Sequence, residues 1–577
     1  RKRRMPKDKT KLQTTEGKIK AQKAVDIAED EQTKKKKPLE SLEAIMDICH
    51  KIEESTSTVE EDEPKVTSFN RAKYKTATEI STQAKKDYER AKHEGQPTEE
   101  VERRRKIKIQ REAETNAERR KAVAGYRNYY AIKAKNAETS KERARLQRIL
   151  QGTGLTSNHQ RAFMQLEYKG GRRCKTNAEI EEKVLEYLKE LVGQKYKGTD
   201  LDYVIKCLSK DGVSLPQIDD DLLGGMPTLQ EVTEVIEKLK CGKANLGTSV
   251  DALKVLIDYK PEYAQYIHTK MINHITGAEV ISEMNDVRMT AFVKGNKSPT
   301  KARNHRWICV CHILQKVMDT IFTNRLKQFV KDRIGISQCG FIEEREGLDA
   351  TMMMNRVVQT RKQQGKSTHI LFMDAIGAFP RLSREVMMEC LKAFGLGEQA
   401  MKWIQAMYTD TYVTAAVNSG EVGLKAVAGG IQGAVATPIL YIIVKYMCDR
   451  SFKAEHQEFT NINTTVPVGP TFQSPQRPEA MHGATRTENT NSVTFADDEA
   501  AMQFERDSMI RLANAITTHS AKFSIQIHKD FNNSKTILML IPGNNESRDP
   551  NLMQPIELDD KTGRYQYKES IVHIGQL

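Results

Sequence analysis

No apolar run in this chain of 577 residues approaches the length of a membrane span, and no secretory leader opens it. A Gly-x-x-x-x-Gly-Lys-Ser/Thr phosphate loop is missing too, which argues against an ATPase. There is no Cys-x-x-Cys pair; nine cysteines, an odd number, are scattered singly except in Cys309-Val310-Cys311-His312. That pattern excludes a disulfide framework and points to reduced thiols in an intracellular compartment. The Cys-Val-Cys-His run lacks a second ligand pair, so core packing is expected there rather than zinc. Apolar residues make up only 38%, low for one compact globule of this size, so a folded part plus a polar, charged part is expected. What is abundant is positive charge. Lysine and arginine number 91 against 77 acids, a net +14, which favours a polyanionic partner, nucleic acid over an anionic membrane surface.

Against that background, Phe495-Ala496-Asp497-Asp498 stands out. It joins the polar stretch Thr485 to Asn491 to an apolar-leaning one (Ala500, Ala501, Met502, Phe504), which reads as a β-hairpin with two carboxylates at its turn. Adjacent aspartates repel unless a cation neutralises them, and oxygen-only ligands suit Mg2+. Alone, the pair reads equally as a solvated acidic turn, as Asp219-Asp220-Asp221 and Asp559-Asp560 do. Upstream, His369 to Met373 is an apolar run ending in Asp374, the pattern of a buried strand that delivers a carboxylate at its edge. A helix is expected from about Ser383-Arg384, with apolar Val386, Met387, Cys390 and Leu391. Between the two acidic sites, Gly429-Gly430-Ile431-Gln432-Gly433 runs through Thr437-Pro438 into an apolar helix, and its glycines would let backbone approach a nucleotide or primer end. Three carboxylates from two strands can hold two metal ions, the arrangement for nucleotidyl transfer.

These motifs, in this order, resemble the reverse transcriptase domain of non-LTR (LINE-type) retrotransposons over roughly Thr228 to Leu577. Lys238 to Ala244 is similar to the segment that opens that domain; Phe292 to Lys297 and Asn304 to Ile308 are similar to its fingers strands. Ser337-Gln338-Cys339-Gly340-Phe341, followed by Gly347 to Ala350, resembles its Gln-x-Gly-Phe block. Ser534-Lys535-Thr536 resembles the Lys-Thr motif, and His573-Ile574-Gly575 the primer-grip turn. The resemblance implies an α+β, right-hand polymerase fold of fingers and palm, an RNA-directed DNA polymerase with two Mg2+ ions, dNTPs, template RNA and a DNA primer or target. It also implies a nuclear location reached through a cytoplasmic ribonucleoprotein. By the same implication Asp374, Asp497, Asp498 and the Ala375 carbonyl bind metal, with the three aspartates catalytic. Lys294, Arg306, Phe379, Gln432, Gly433 and Lys535 serve the dNTP. Phe379 would exclude a ribose 2′-OH, Lys294 and Arg306 would contact the triphosphate, and Lys535 would protonate or steady the leaving pyrophosphate. For each basic residue the plain alternative is a solvated surface charge.

The chain also departs from the pattern. Asn245-Leu246-Gly247-Thr248-Ser249 stands where the family has Pro-Gly-Pro-Asp-Gly, Trp307 where it has Pro, Pro380 where it has Asp, and Ala434 to Pro438 where it has Cys-Pro-Leu-Ser-Pro. A catalytically impaired, polymerase-derived nucleic-acid-binding protein is therefore the second expectation. Another palm-type polymerase, maturase-like or RNA-dependent RNA polymerase, is a third, and Phe379 opposes the RNA polymerase. No endonuclease-like, Cys/His-knuckle or RNase H-like region is recognised, Leu577 falls where a thumb would begin, and the absent initiator Met points to a fragment.

Three regions are expected. Residues 1–155 form a basic helical or disordered arm (Arg1 to Arg4, Lys34 to Lys37, Arg103 to Arg105, Arg119-Arg120-Lys121), in which Tyr126, Tyr129 and Tyr130 interleave with Arg127 and Lys133. Its basic runs suit nucleic acid and could serve nuclear import; a charged linker is the alternative. Residues 156–227 form a helical extension containing an amphipathic helix at Ile180 to Val192, and 228–577 form the fingers and palm. Thr228 and Glu231 spell a capping box, with Val232, Val235, Ile236 and Leu239 on one face beyond it. A proline-bearing insert at 455–491 is expected to be a surface loop.

Overall fold

The computed structural model describes residues 15–35, 37–55, 71–93, 99–111, 114, 166–168, 171–174, 176–295, 297–417, 420–459, 463–467, 485–489, 491–529, 536–544, 550–559 and 563–568. About half of the expected basic arm, including Tyr126 to Lys133, lies outside them, as do Lys535 and His573-Ile574-Gly575.

Two units separate, residues 1–21 with 52–161, and residues 22–51 with 162–577. In the first, α3 (Arg71–His93) and a helical run at 99–111 carry dense charge, and Glu100 pairs with both Arg103 and Arg104. In the second, the parts of α1 (Thr15–Lys34) and α2 (Leu42–Ser55) that fall within residues 22–51 bury Val25, Ala28, Ala44, Ile45 and Ile48. The acids of α1 meet a basic and phenolic edge. Tyr259 Oη donates to Asp26 Oδ2 at 3.1 Å, Tyr263 Oη donates to Glu29 Oε1 at 2.7 Å, and Lys260 pairs with Glu29. Residues 22–51 are thus packed on the larger unit, not part of a uniform arm.

The expected Thr228/Glu231 capping box and both apolar faces form, and a second box at Thr176/Glu179 joins them. The helix α4 (Asn177–Val192) starts at Thr176 with Glu179 closing the box, and buries Ile180, Val184, Leu188 and Leu191. After α5 (Leu201–Leu208) and the short α6 (Asp220–Gly224), α7 (Leu229–Lys238) starts on the Thr228/Glu231 box and buries Val232, Val235 and Ile236. The helices α8 (Val250–Tyr259), α9 (Glu262–Thr276) and α10 (Ile313–Arg333) follow.

Two four-stranded sheets complete an α+β architecture. The first has the order β2-β1-β4-β5, from β1 (Val287–Val293), β2 (His305–Cys311), β4 (Tyr412–Val417) and β5 (Gly420–Lys425); β1 and β2 form an antiparallel hairpin, and β1 runs parallel to β4. The second is antiparallel throughout, in the order β10-β3-β9-β8, from β3 (Thr368–Met373), β8 (Ser492–Phe495), β9 (Asp498–Gln503) and β10 (Ile537–Ile541). All six residues of β3 are buried because both faces of that sheet are covered. Leu371 and Met373 join a core with Met509, Leu512 and Ile516 of α15 (Arg506–Lys522). On the other face Ile370 and Phe372 meet Val357 and Val358 of α11 (Gly347–Gln363). Between the strands come α12 (Arg384–Phe394, capped by Ser383 as expected), α13 (Glu398–Tyr408) and α14 (Thr437–Glu455).

The insert differs from the expected loop. Its described parts, β6 (Asn463–Pro467) and β7 (Thr485–Asn489), pair antiparallel from Asn463↔Asn489 to Pro467↔Thr485. The Thr-Thr-Val run supplies β propensity that the surrounding prolines masked. Cys309, Cys311 and His312 are buried, as core packing requires, and His312 Nδ1 caps α10 by accepting from Leu314 N at 3.3 Å.

Candidate active site

Asp374 follows the last residue of β3, where the apolar run stops because the sheet reaches its edge. Its backbone N donates to Thr536 Oγ1 at 3.3 Å, and its carbonyl accepts from His528 N at 3.1 Å. The His528 ring returns to the side chain, with Nε2 3.2 Å from Asp374 Oδ2. Next to it, Ala375 bridges to Ile527 and Ile376 N donates to Gln526 O at 2.7 Å, so residues 526–528 brace the strand end.

The Asp497-Asp498 pair sits where the sequence placed it, at a tight hairpin between β8 and β9. Phe495 pairs with Asp498, which leaves Ala496 and Asp497 as the two loop residues. Two-residue hairpins need a positive φ, and Ala496 adopts φ 61, a conformation costly for a residue with a Cβ. The Gln-x-Gly-Phe block holds it there. Gln338 Oε1 accepts from Ala496 N at 3.1 Å and from Gly340 N at 2.8 Å, while its amide faces Ala496 O at 3.4 Å. Ser337 O and Cys339 N bond to either side of Thr494, so the block is a short extra strand beside β8. A Cβ on Gly340 would lie 2.2 Å from Ala496 N; glycine is required by the approach of the turn.

Register brings the acids together. The β3/β9 ladder runs to Met373↔Glu499, so one further step sets Asp374 beside Asp498. Glu499 points the other way, into the protein, where it meets Lys445 Nζ at 2.7 Å; Lys445 also pairs with Asp449. Lys445 and Glu499 are each 3% exposed. Burial opposes the Lys445 ammonium, but the two carboxylates outweigh it and raise its pKa, so it stays charged. Tyr441, one turn N-terminal to Lys445 on α14, is fully buried; burial and then the charge of Asp497 hold its phenol protonated.

Phe379 is half-buried, its ring 5.2 Å from Tyr441 and 6.4 Å from Phe341. The loop 429–433 closes over it, with Gly430 N donating to Phe379 O at 2.8 Å. Its glycines are demanded first by protein backbone. A Cβ on Gly429 would lie 2.4 Å from Pro380 O, and one on Gly433 2.5 Å from Cys309 O. Gln432 O accepts from Cys309 N at 2.7 Å, which docks the loop on β2; Gly433 remains exposed. Beneath the loop Asp319 is fully buried, and burial pushes its carboxyl up to about 7 against hydrogen bonds from Gln315 and the Val435 backbone.

Arg306 stands exposed on β2, across from Phe292, and Lys294 follows β1 with its ammonium donating to Arg303 O at 3.0 Å. Trp307, where the family pattern has proline, packs 5.7 Å from Tyr187 of α4 and donates to Ala302 O at 3.2 Å. In the other departing segment Ser249 caps α8, donated to by Ala252 N at 3.2 Å.

Three carboxylates at one sheet edge are hard oxygen donors, the set a Mg2+ ion takes. They have not drawn together: among the described residues, the trio whose ligand atoms all lie within 4.8 Å is Cys207, Glu455 and His519. The sequence reading missed His528 and the Lys445–Glu499–Asp449 cluster. A lone His in a polar stretch carries no periodic signal, and a helical lysine reads as surface until its partners are placed.

With this geometry in place, residues 294–555, a little under half of the chain, match the family described as reverse transcriptase (RNA-dependent DNA polymerase).

Proposed function

From a chain that carries a reverse transcriptase domain, which is that of an RNA-directed DNA polymerase and hence of a nucleotidyltransferase, we propose that it extends a DNA 3′-OH on an RNA template for a LINE-type retroelement. The observation that carries this reading is the β3/β9 register, which sets Asp374 beside the Asp497-Asp498 turn inside the matched region. The order of these motifs along the chain supports the LINE-type assignment, and the basic runs support a nuclear location.

Asp374, Asp497, Asp498 and the Ala375 carbonyl would hold two Mg2+ ions. Bound there, such ions activate the attacking hydroxyl and neutralise charge on the pyrophosphate. The chain's own groups do the rest. Phe379, its ring 5.2 Å from that of Tyr441, would exclude a ribose 2′-OH. Gln432 and the exposed Gly433 line the nucleotide pocket, Lys294 and Arg306 meet the triphosphate from the hairpin of β1 and β2, and Lys535 steadies the leaving pyrophosphate. His573, Ile574 and Gly575 would hold the primer end.

The test is extension of oligo(dT) on poly(rA) with Mg2+ and dTTP. Extension by the parent and none by an Asp497→Ala, Asp498→Ala double variant is the expected result. If neither protein extends and both bind the hybrid with steep salt dependence, the chain is instead a nucleic-acid-binding derivative of a polymerase.

A further inference from the structure

Away from the aspartates, three helices bring unlike ligands together: Cys207 on α5, Glu455 at the end of α14 and His519 on α15. Cys207 is 0% exposed and His519 2%, and the Glu455 side chain is 16% exposed. His519 Nε2 lies 3.1 Å from the Cys448 carbonyl and 3.0 Å from the Ser451 hydroxyl, and the tautomer in which Nε2 donates to that carbonyl leaves Nδ1 with a lone pair. That lone pair faces Glu455 Oε2 at 3.4 Å, acceptor against acceptor. The one proton between them belongs to Tyr203, whose Oη is 2.7 Å from Glu455 Oε2 and 2.9 Å from Nδ1; it can satisfy one of the two. On the far side of the carboxylate the Cys207 thiol donates to Oε1 at 3.2 Å and Lys210 Nζ donates to it at 2.6 Å.

We propose that Cys207, Glu455 and His519 form a zinc site that staples α5 to α14 and α15. Sulfur, imidazole nitrogen and carboxylate are the donor set zinc favours over Mg2+ or Ca2+. A tetrahedral zinc with ordinary bond lengths holds its ligands roughly 3.3–3.7 Å apart; Cys207 Sγ is 3.2 Å from Glu455 Oε1 and His519 Nδ1 3.4 Å from Oε2, with one ligand atom of each residue within 4.8 Å of the others, so a small adjustment of the side chains admits the ion. The Nε2–H bond to a carbonyl is the outer contact that orients a metal-bound histidine. The fourth position falls to the Tyr203 oxygen or a water. Binding expels the thiol proton of Cys207 to solvent, and Lys210, 40% exposed, swings off Glu455. The thiolate and carboxylate then balance the ion's two charges.

The experiment uses the full chain, purified without chelator, and reads zinc content and the spectrum after Co2+ exchange. One zinc per chain and a cobalt–thiolate charge-transfer band are expected. Both are expected to disappear in Cys207→Ser and to persist in the Asp497→Ala, Asp498→Ala double variant, and Lys210→Met should bind zinc several-fold more tightly. The parent protein's own cobalt spectrum needs no variant to fold. A parent with no thiolate band and no zinc at chelator-buffered concentrations, or zinc content untouched by Cys207→Ser, overturns the proposal. None of these readouts depends on polymerase activity.

Discussion

Single side chains in this molecule are set by what burial does to them. Asp319 shows it most simply. Its folded carboxyl is pushed up to about 7, above the roughly 3.9 of an unfolded aspartate. A raised folded pKa means that the folded state holds the proton more tightly. The stability this contributes is whole below about pH 4 and is lost as pH rises through about 7. Asp319→Asn should therefore flatten the fall in melting temperature between those limits, which thermal unfolding at several pH values would show. An unchanged slope would mean that the carboxylate finds a partner when it ionises. Phe379 makes a different prediction. Backed by Tyr441 and Phe341, its ring has little room to yield. Phe379→Val should lower discrimination against ribonucleotides by roughly 10–100-fold, measured as the ratio of UTP to dTTP incorporation. Retained discrimination would reduce Phe379 to a packing residue.

Among elements, the hairpin that carries Asp497 and Asp498 depends on a neighbour far off in sequence. Gln338 pins Ala496 from both sides, so Gln338→Ala should free a turn that needs a positive φ. A loss of about 1–3 kcal/mol is expected from the buried backbone groups left without partners, with primer extension falling much further than the melting temperature. Equal falls in both would count against a positioning role. Behind the turn, Lys445→Met would strand Glu499 and Asp449 and should cost about 3–5 kcal/mol in denaturant unfolding. Much of this layer was legible beforehand. The run to Met373, the 495–498 hairpin, the Ser383 start and the Thr228 capping box follow from local periodicity and turn chemistry, and they form where expected. Lys445 and His528 were not legible, because their meaning lies in partners tens of residues away. The glycines of 429–433 were read as openings for a ligand, yet two of them first make room for Pro380 and Cys309. The β6/β7 ladder was hidden by prolines on its flanks, and the apolar face of α2 by the charge around it.

At the scale of the whole chain, a net +14 implies that affinity for a polyanion is largely electrostatic. Binding of a template–primer hybrid should weaken on the order of 10³-fold between low and physiological salt if six or more phosphates are contacted, and filter binding across a salt series measures it. A flat response would remove the case for the basic runs. That residues 22–51 belong to the larger unit also limits truncation, since removing them would strip Tyr259, Lys260 and Tyr263 of their carboxylate partners. The β6/β7 pair offers the opposite freedom. Its register sets Pro467 directly across from Thr485, so the chain leaves and re-enters at one point. Whatever replaces the residues between those two positions begins and ends within a strand's spacing, and lengthening a closed loop costs little. A fluorescent domain grafted there would enter and leave twelve residues before Asp497 without pulling the two strands apart, which turns the insert into a handle for following the protein on a template–primer hybrid.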